Sequence, residues 1–184
     1  MQTTMLNKNF NLPVELRGSE DTPLAHHYLL VGQGGVFTKP TLVQTVLGSC
    51  VSVTMFCPAN QWGGIFHALL PRRVNYADRD STGDYYRYVD SAIWQLLRQF
   101  TKASIAPSSL ECKVFGGASP LHRNMGDSAG NRNVETAIAV LEDAGLKVLA
   151  SSVGGKHGRK LFFRTDTGLV LQKRFLTTPA QAFM

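Results

Sequence analysis

The chain has no apolar run of about 18 residues, the length a membrane-crossing helix needs. Its first residues, M-Q-T-T-M-L-N-K-N-F-N-L-P, lack a basic segment followed by an apolar stretch, so no secretory leader is expected either. A soluble cytoplasmic protein without direct membrane insertion is the expectation. Cysteine is scarce: Cys50, Cys57 and Cys112 cannot form a closed disulfide framework and show no close pairing, which fits a reducing compartment. Ligand pairs of the C-x-x-C or H-x-x-x-H type are absent, so no metal site is expected, and no cofactor motif takes its place. The segment V-G-G-K-H-G-R-K superficially resembles a phosphate loop but lacks the lysine-serine ending and a following helix, so it reads as a turn. A G-x-S-x-G elbow is missing as well, because Ser49 is followed by Cys50 and Val51. Acidic residues are outnumbered 13 to 19, and the net charge of +6 raises the question of nucleic acid. The basic residues fall in short groups (Arg72-Arg73, Lys156 to Lys160, Lys173-Arg174) with no helix-length stripe or interleaved aromatics. They read as solvated surface, and no nucleic-acid partner is expected.

What is present suits one globular domain: 184 residues, 43% of them hydrophobic, with no repeat and no low-complexity tract. Residues 1–25 are polar, contain Pro13 and Pro23 and show no sustained period, which predicts an extension or poorly ordered arm. From Tyr28, Y-L-L-V-G-Q and T-L-V-Q-T-V-L read as two strands separated by Gly34-Gly35 and Pro40. V-S-V-T-M-F alternates as a third strand, and W-G-G-I-F-H-A-L-L-P, after a turn at Pro58 to Gln61, reads as its hairpin partner. Val89, Ile93, Leu96, Leu97 and Phe100 share one face at helical spacing. L-E-C-K-V-F is a short strand, and a second helix carries Val134, Ala137, Ile138 and Leu141 in register, with Asn133 as its cap and Gly145 beyond its end. K-V-L-A-S-S-V, L-F-F-R and L-V-L-Q, the last two joined by T-D-T-G, close the domain. The fold class is α+β: a single domain with a mixed sheet or sandwich core flanked by two main helices.

The break in T-V-L-G-S-C-V-S-V sets Cys50 apart. Gly48 and Ser49 interrupt the strand just before it, freeing backbone N–H groups that can hold an oxyanion when the sulfur attacks a carbonyl. Cys57 and Cys112, within or beside strands, read as small buried hydrophobes. A nucleophilic cysteine needs a base, and His67 is the candidate, because hairpin pairing can bring it near Cys50, where it would lower the thiol pKa. A hydrogen-bonded core histidine is the equal alternative at that position. His26, His27, His122 and His157 sit in turn-rich or charged segments and read as solvated.

L-G-S-C-V-S-V followed by G-G-I-F-H-A-L-L-P resembles the signature of the chemoreceptor glutamine deamidase family, CheD. K-V-F-G-G-A-S, G-N-R-N-V-E-T-A-I-A-V-L, V-G-G-K-H-G-R-K-L-F-F and T-G-L-V-L follow in the same order, so the resemblance covers roughly residues 28–174. It implies a CheD-like domain over residues 26–176, between the extension at 1–25 and a tail at 177–184. It implies a cysteine amidohydrolase that converts glutamines on the cytoplasmic helices of chemoreceptors to glutamate and ammonia, without a cofactor. Cys50 would be the nucleophile and His67 the base, with N–H groups near Gly48 and Ser49 holding the oxyanion. The family's third position, a threonine that orients the histidine, falls at Thr45 or one residue upstream, at Gln44. A one-residue offset in a strand reverses the face, and Ser49 or a backbone carbonyl are the alternatives. A phosphatase of the CheC type is a possible partner by the same resemblance, and a non-catalytic adaptor that binds chemoreceptors or such a phosphatase is the competing function. N-Y-A-D-R-D-S-T-G-D-Y-Y-R-Y, with Arg79 and Tyr85, is either a receptor-contacting loop or a solvated connection packed on the first helix.

Overall fold

A computed structural model describes residues 13–18, 24–74, 83–119 and 128–176. Among the described residues nine strands and two α-helices follow one another: β1 Ala25–Tyr28, β2 Gly34–Phe37, β3 Thr41–Leu47, β4 Val51–Cys57, β5 Trp62–Phe66, α1 Val89–Lys102, β6 Glu111–Gly116, α2 Ala129–Asp143, β7 Val148–Val153, β8 His157–Arg164 and β9 Val170–Leu176. They build two mixed sheets, one in the order β1-β3-β8-β9 and the other β2-β5-β4-β6-β7. In each sheet one outer pair is parallel, β1 with β3 and β6 with β7, and the remaining pairs are antiparallel.

Alternation along β4 fixes the layering, since successive side chains leave opposite faces of a strand. Val51, Val53, Met55 and Cys57 join Ile93, Leu96 and Phe100 of α1 and Ala137, Val140 and Leu141 of α2 in the largest buried cluster. Both helices therefore cover one face of the five-stranded sheet. Its other face meets the four-stranded sheet through Ile65 packed with Val43, Leu29 and Phe163, and through Cys50 and Phe115 packed with Leu47 and Leu161. The outer face of the four-stranded sheet carries a smaller cluster, Leu42 and Phe162 with Leu16. The result is a helix–sheet–sheet stack, the expected α+β sandwich, with its main helices on one side.

The local expectations hold in most places. The third strand and its hairpin partner pair in register from Thr54 opposite Ile65 to Cys57 opposite Trp62, around a turn at residues 58–61. α1 buries the five residues predicted for its inner face. Gly145, at φ 69°, ends α2: the amide of Leu146 donates to the Leu141 carbonyl and that of Gly145 to the Glu142 carbonyl, the paired bonds of a left-handed helix cap.

Two local readings are corrected. The run Y-L-L-V-G-Q is not a strand beyond Tyr28; residues 31–32 turn, and Gly34-Gly35, expected as a separator, opens β2 instead. A Cβ on Gly34 would lie 2.7 Å from the Cβ of Phe66 and 2.5 Å from the Tyr86 ring, so the glycine marks a close approach inside the sheet. Asn133 does not cap α2, which begins four residues earlier behind Ser128, whose Oγ accepts from the Asn131 amide at 3.1 Å. Within the segment expected as an extension, residues 13–18 are described: Leu16 is buried, and the Arg17 carbonyl accepts from Arg164 Nη1 at 2.8 Å. The rest of residues 1–23, the tail at 177–184, and the segments holding Arg79 and His122 lie outside the described residues.

Candidate active site

Between β3 and β4 the chain turns through Gly48, Ser49 and Cys50, and all three carbonyls are held. The Gly117 amide donates to the Cys50 carbonyl and the Ala118 amide to the Gly48 carbonyl, both at 2.8 Å, while Asn133 Nδ2 donates to the Ser49 carbonyl at 3.0 Å. Gly116 makes this approach possible. It sits at φ 110°, and a Cβ there would collide with the Cys50 carbonyl oxygen. With the carbonyls engaged on one side, the amides of Ser49 and Cys50 donate to no other residue among those described. Donors held in this way are able to bind an oxyanion.

His67 follows directly on β5, where Val51 and Ala68 exchange amide hydrogen bonds of 3.0 and 2.9 Å. Val51 and Ala68 belong to the helix-side cluster, so Cys50 and His67, each one residue away, fall on the sheet side as diagonal cross-strand neighbours. Thr45 approaches from the other sheet. Its Oγ1 donates to the Leu29 carbonyl at 2.8 Å and lies 2.9 Å from His67 Nδ1. A hydroxyl has one proton, and a carbonyl can only accept. With that proton committed to Leu29, Nδ1 must carry the hydrogen toward Thr45, and Nε2 is left as the unprotonated nitrogen. Nε2 is buried and meets no hydrogen-bond partner among the described residues, Cys50 included.

Burial shapes the titration of both groups. Desolvation pushes the Cys50 thiol up to about 11, against a smaller lowering by its own backbone amide. It holds His67 down at about 4, opposed by the Leu29 carbonyl, which favours the charged ring. His67 is not among the causes of the thiol's shift: removal from water outweighs the backbone contact, and both groups are neutral near pH 7. A reaction of this sulfur as a nucleophile near pH 7 would therefore need its proton removed as the new bond forms.

The remaining predicted residues are more dispersed. Gly48 and Ser49 form the turn itself. Gln44, the alternative to Thr45, pairs with Phe162 on the neighbouring strand and is only half-buried. Tyr85 stands 40% exposed on the rim of an open groove of about 310 Å³ with Trp94 and Arg98, and the Arg73 guanidinium lies 4.9 Å above its ring. Cys57 and Cys112 belong to the helix-side cluster, as small buried hydrophobes should. His157 is exposed, but His26 and His27 are half-buried in β1, not solvated, and His27 packs on Phe37 with ring centroids 5.5 Å apart. Asn133 was missed as a site residue. The available signal was a polar side chain in phase with the apolar stripe of Ala137, Val140 and Leu141.

The family model described as CheD chemotactic sensory transduction matches residues 69–174, beginning two positions after His67. A probable chemoreceptor glutamine deamidase CheD 2 from Geobacter sulfurreducens is 48% identical over 160 residues, 86% of this chain and 96% of the relative. A probable chemoreceptor glutamine deamidase CheD from Nitratidesulfovibrio vulgaris is 42% identical over 86% of this chain and 80% of the relative. One from the archaeon Thermococcus kodakarensis is 34% identical over 78% and 89% respectively.

Proposed function

The chain belongs to the CheD family, and on that premise we propose that it is a protein-glutamine deamidase acting on the cytoplasmic helices of chemoreceptors, with Cys50 as nucleophile. The observation that carries the reading is the relay from the Leu29 carbonyl through Thr45 Oγ1 to His67 Nδ1, which leaves a bare Nε2 on the side of the sheet that Cys50 shares.

In the reaction the Cys50 sulfur attacks the glutamine carboxamide carbon while Nε2 takes the thiol proton, and the Ser49 and Cys50 amides receive the developing oxyanion. The imidazolium returns that proton to the departing nitrogen, so ammonia leaves and a thioester remains. Water, deprotonated by the same Nε2, then attacks the thioester carbon, and collapse of the second tetrahedral state restores the thiol and releases glutamate. The sum is glutamine plus water to glutamate plus ammonia, with no cofactor required. Thr45 fixes the tautomer throughout, and it stabilises the imidazolium by accepting from Nδ1. Arg79 and Tyr85, on the connection after the His67 strand, serve receptor recognition in this reading, and a CheC-type phosphatase is a second partner.

Ammonia release from a glutamine-bearing receptor fragment tests the proposal. Wild type should release it stoichiometrically with new glutamate found by mass spectrometry, and Cys50→Ala should release none. Wild-type protein that binds the fragment without releasing ammonia would make the chain an adaptor.

A further inference from the structure

One carboxamide joins the two segments that bear the proposed nucleophile and base. Asn133, fully buried in the second turn of α2, donates through Nδ2 to the Ser49 carbonyl at 3.0 Å and to the Leu69 carbonyl at 2.9 Å. Ser49 immediately precedes Cys50, and Leu69 follows His67 by two residues. Two carbonyl acceptors demand the NH2 end of the amide, so the orientation of the side chain is fixed by its partners. Oδ1 is thereby turned elsewhere, where it is buried without a hydrogen-bond partner. An orphaned acceptor lowers stability, and asparagine is a poor residue for a helix interior. Both features run against a residue placed for stability alone.

The surrounding packing aims the clamp. Gly130, one turn earlier, presses against Gly117 and Ala118, whose amides hold the Cys50 and Gly48 carbonyls. That contact fixes the Cys50 turn only. Asn133 reaches the His67 strand as well, and in doing so sets the spacing between the two segments.

We infer that Asn133 is a positioning residue for this reaction, holding the Cys50 turn and the His67 strand in the register that proton transfer from Sγ to Nε2 requires. The inference rests on the reading of Cys50 and His67 as nucleophile and base. A displacement of about 1 Å in such a pair is enough to lower a rate about 10²-fold.

The test uses the full chain and a readout independent of the receptor. Iodoacetamide alkylation of Cys50 at pH 7 is measured in wild type, Asn133→Ala, Asn133→Asp, His67→Ala and the two double variants, each at equal folded concentration by near-ultraviolet circular dichroism. Because Nε2 would take the thiol proton as the carbon–sulfur bond forms, wild type should alkylate on the order of 10-fold faster than His67→Ala, each Asn133 variant should fall close to His67→Ala, and the double variants should show no further loss. On the receptor fragment both Asn133 variants should lose kcat on the order of 10²-fold with KM moving less than about threefold. Equal alkylation in wild type and His67→Ala overturns the base assignment and the inference with it. An Asn133 effect of the same size in both backgrounds, or no effect, overturns the inference alone, because a packing role does not depend on the base. Loss of cooperative folding in both Asn133 variants makes the residue a folding determinant and overturns it too.

Discussion

The two faces of the five-stranded sheet are built on opposite terms. The helix side is dominated by hydrophobics: Val51, Val53, Met55, Phe66, Cys112 and Val114 cluster with apolar residues of α1 and α2, and the Asn133 buried on α2 is bonded to the Ser49 and Leu69 carbonyls. The side that faces the second sheet buries Thr45, Ser52, Thr54, His67 and Thr165 among its hydrophobics. Removing polar groups from water is unfavourable unless each is paired. Thr45, Ser52 and Thr165 are paired, through Leu29, Phe66 and Lys39 carbonyls, whereas His67 Nε2 is not. One layer is packed with hydrophobics, and the other buries an imidazole nitrogen without a hydrogen-bond partner among the described residues.

The three cysteines break or sharpen this contrast most directly. Cys50→Ala should abolish ammonia release, while Cys57→Ala and Cys112→Ala, on the helix side, should keep activity per folded molecule and lose about 1 kcal/mol of stability each, read by urea unfolding. Retained turnover in Cys50→Ala would remove the distinction between the layers.

His67→Ala should cost on the order of 10²-fold or more in kcat. The histidine also makes a stability prediction. Its folded value of about 4 lies below the ordinary 6.5, so the unfolded chain binds the proton more readily. Stability from this group is full above pH 6.5 and is lost as pH falls through about 4, for a total on the order of 3 kcal/mol. Urea midpoints from pH 7 to pH 4 should fall more steeply in wild type than in His67→Gln. Parallel curves would mean that the ring is solvated.

Thr45→Val keeps the shape but removes the acceptor for Nδ1. An effect of about 10-fold on kcat is expected, smaller than loss of the base itself, and Thr45→Ser should restore most of it. If Val and Ser behave alike, the hydroxyl does not fix the tautomer.

The smallest effect is expected from the connection that follows the His67 segment in sequence. Arg79→Ala with Tyr85→Ala should raise KM for the receptor fragment about fivefold, the scale of a modest interface contact. Alkylation of Cys50 should be unchanged, and a fall would show that this connection supports the site itself.

How legible each part was in the sequence follows from how local its cause is. The strand V-S-V-T-M-F and the helical spacing from Val89 to Phe100 are short-range patterns and both elements appear, but the alternation predicted one better-buried face and β4 is buried on both, because the second sheet covers the face that carries Ser52 and Thr54. The nearness of Cys50 and His67 was readable because one hairpin joins their strands. The Thr45–His67 contact was beyond periodicity, since β3 and β5 lie in different sheets and face-to-face stacking leaves no repeat in either strand. A resemblance pointed to that position, and only the register of β3 separates Thr45 from Gln44. Asn133 was misread for a related reason. The Ser128 that caps α2 follows no apolar run, and Gly130 is a poor helix former whose place in the first turn is explained only by the Gly117 backbone packed against it.

Burial of the Cys50 sulfur bears on oxidation. Peroxides react with thiolates, and a thiol that ionises at about 11 presents almost none at neutral pH. Exposed, acidic cysteines advance to sulfenic and sulfinic acids under the same oxidants. Burial that holds the Cys50 thiol up at about 11 is therefore expected to slow its oxidation between encounters with a substrate, relative to such exposed cysteines.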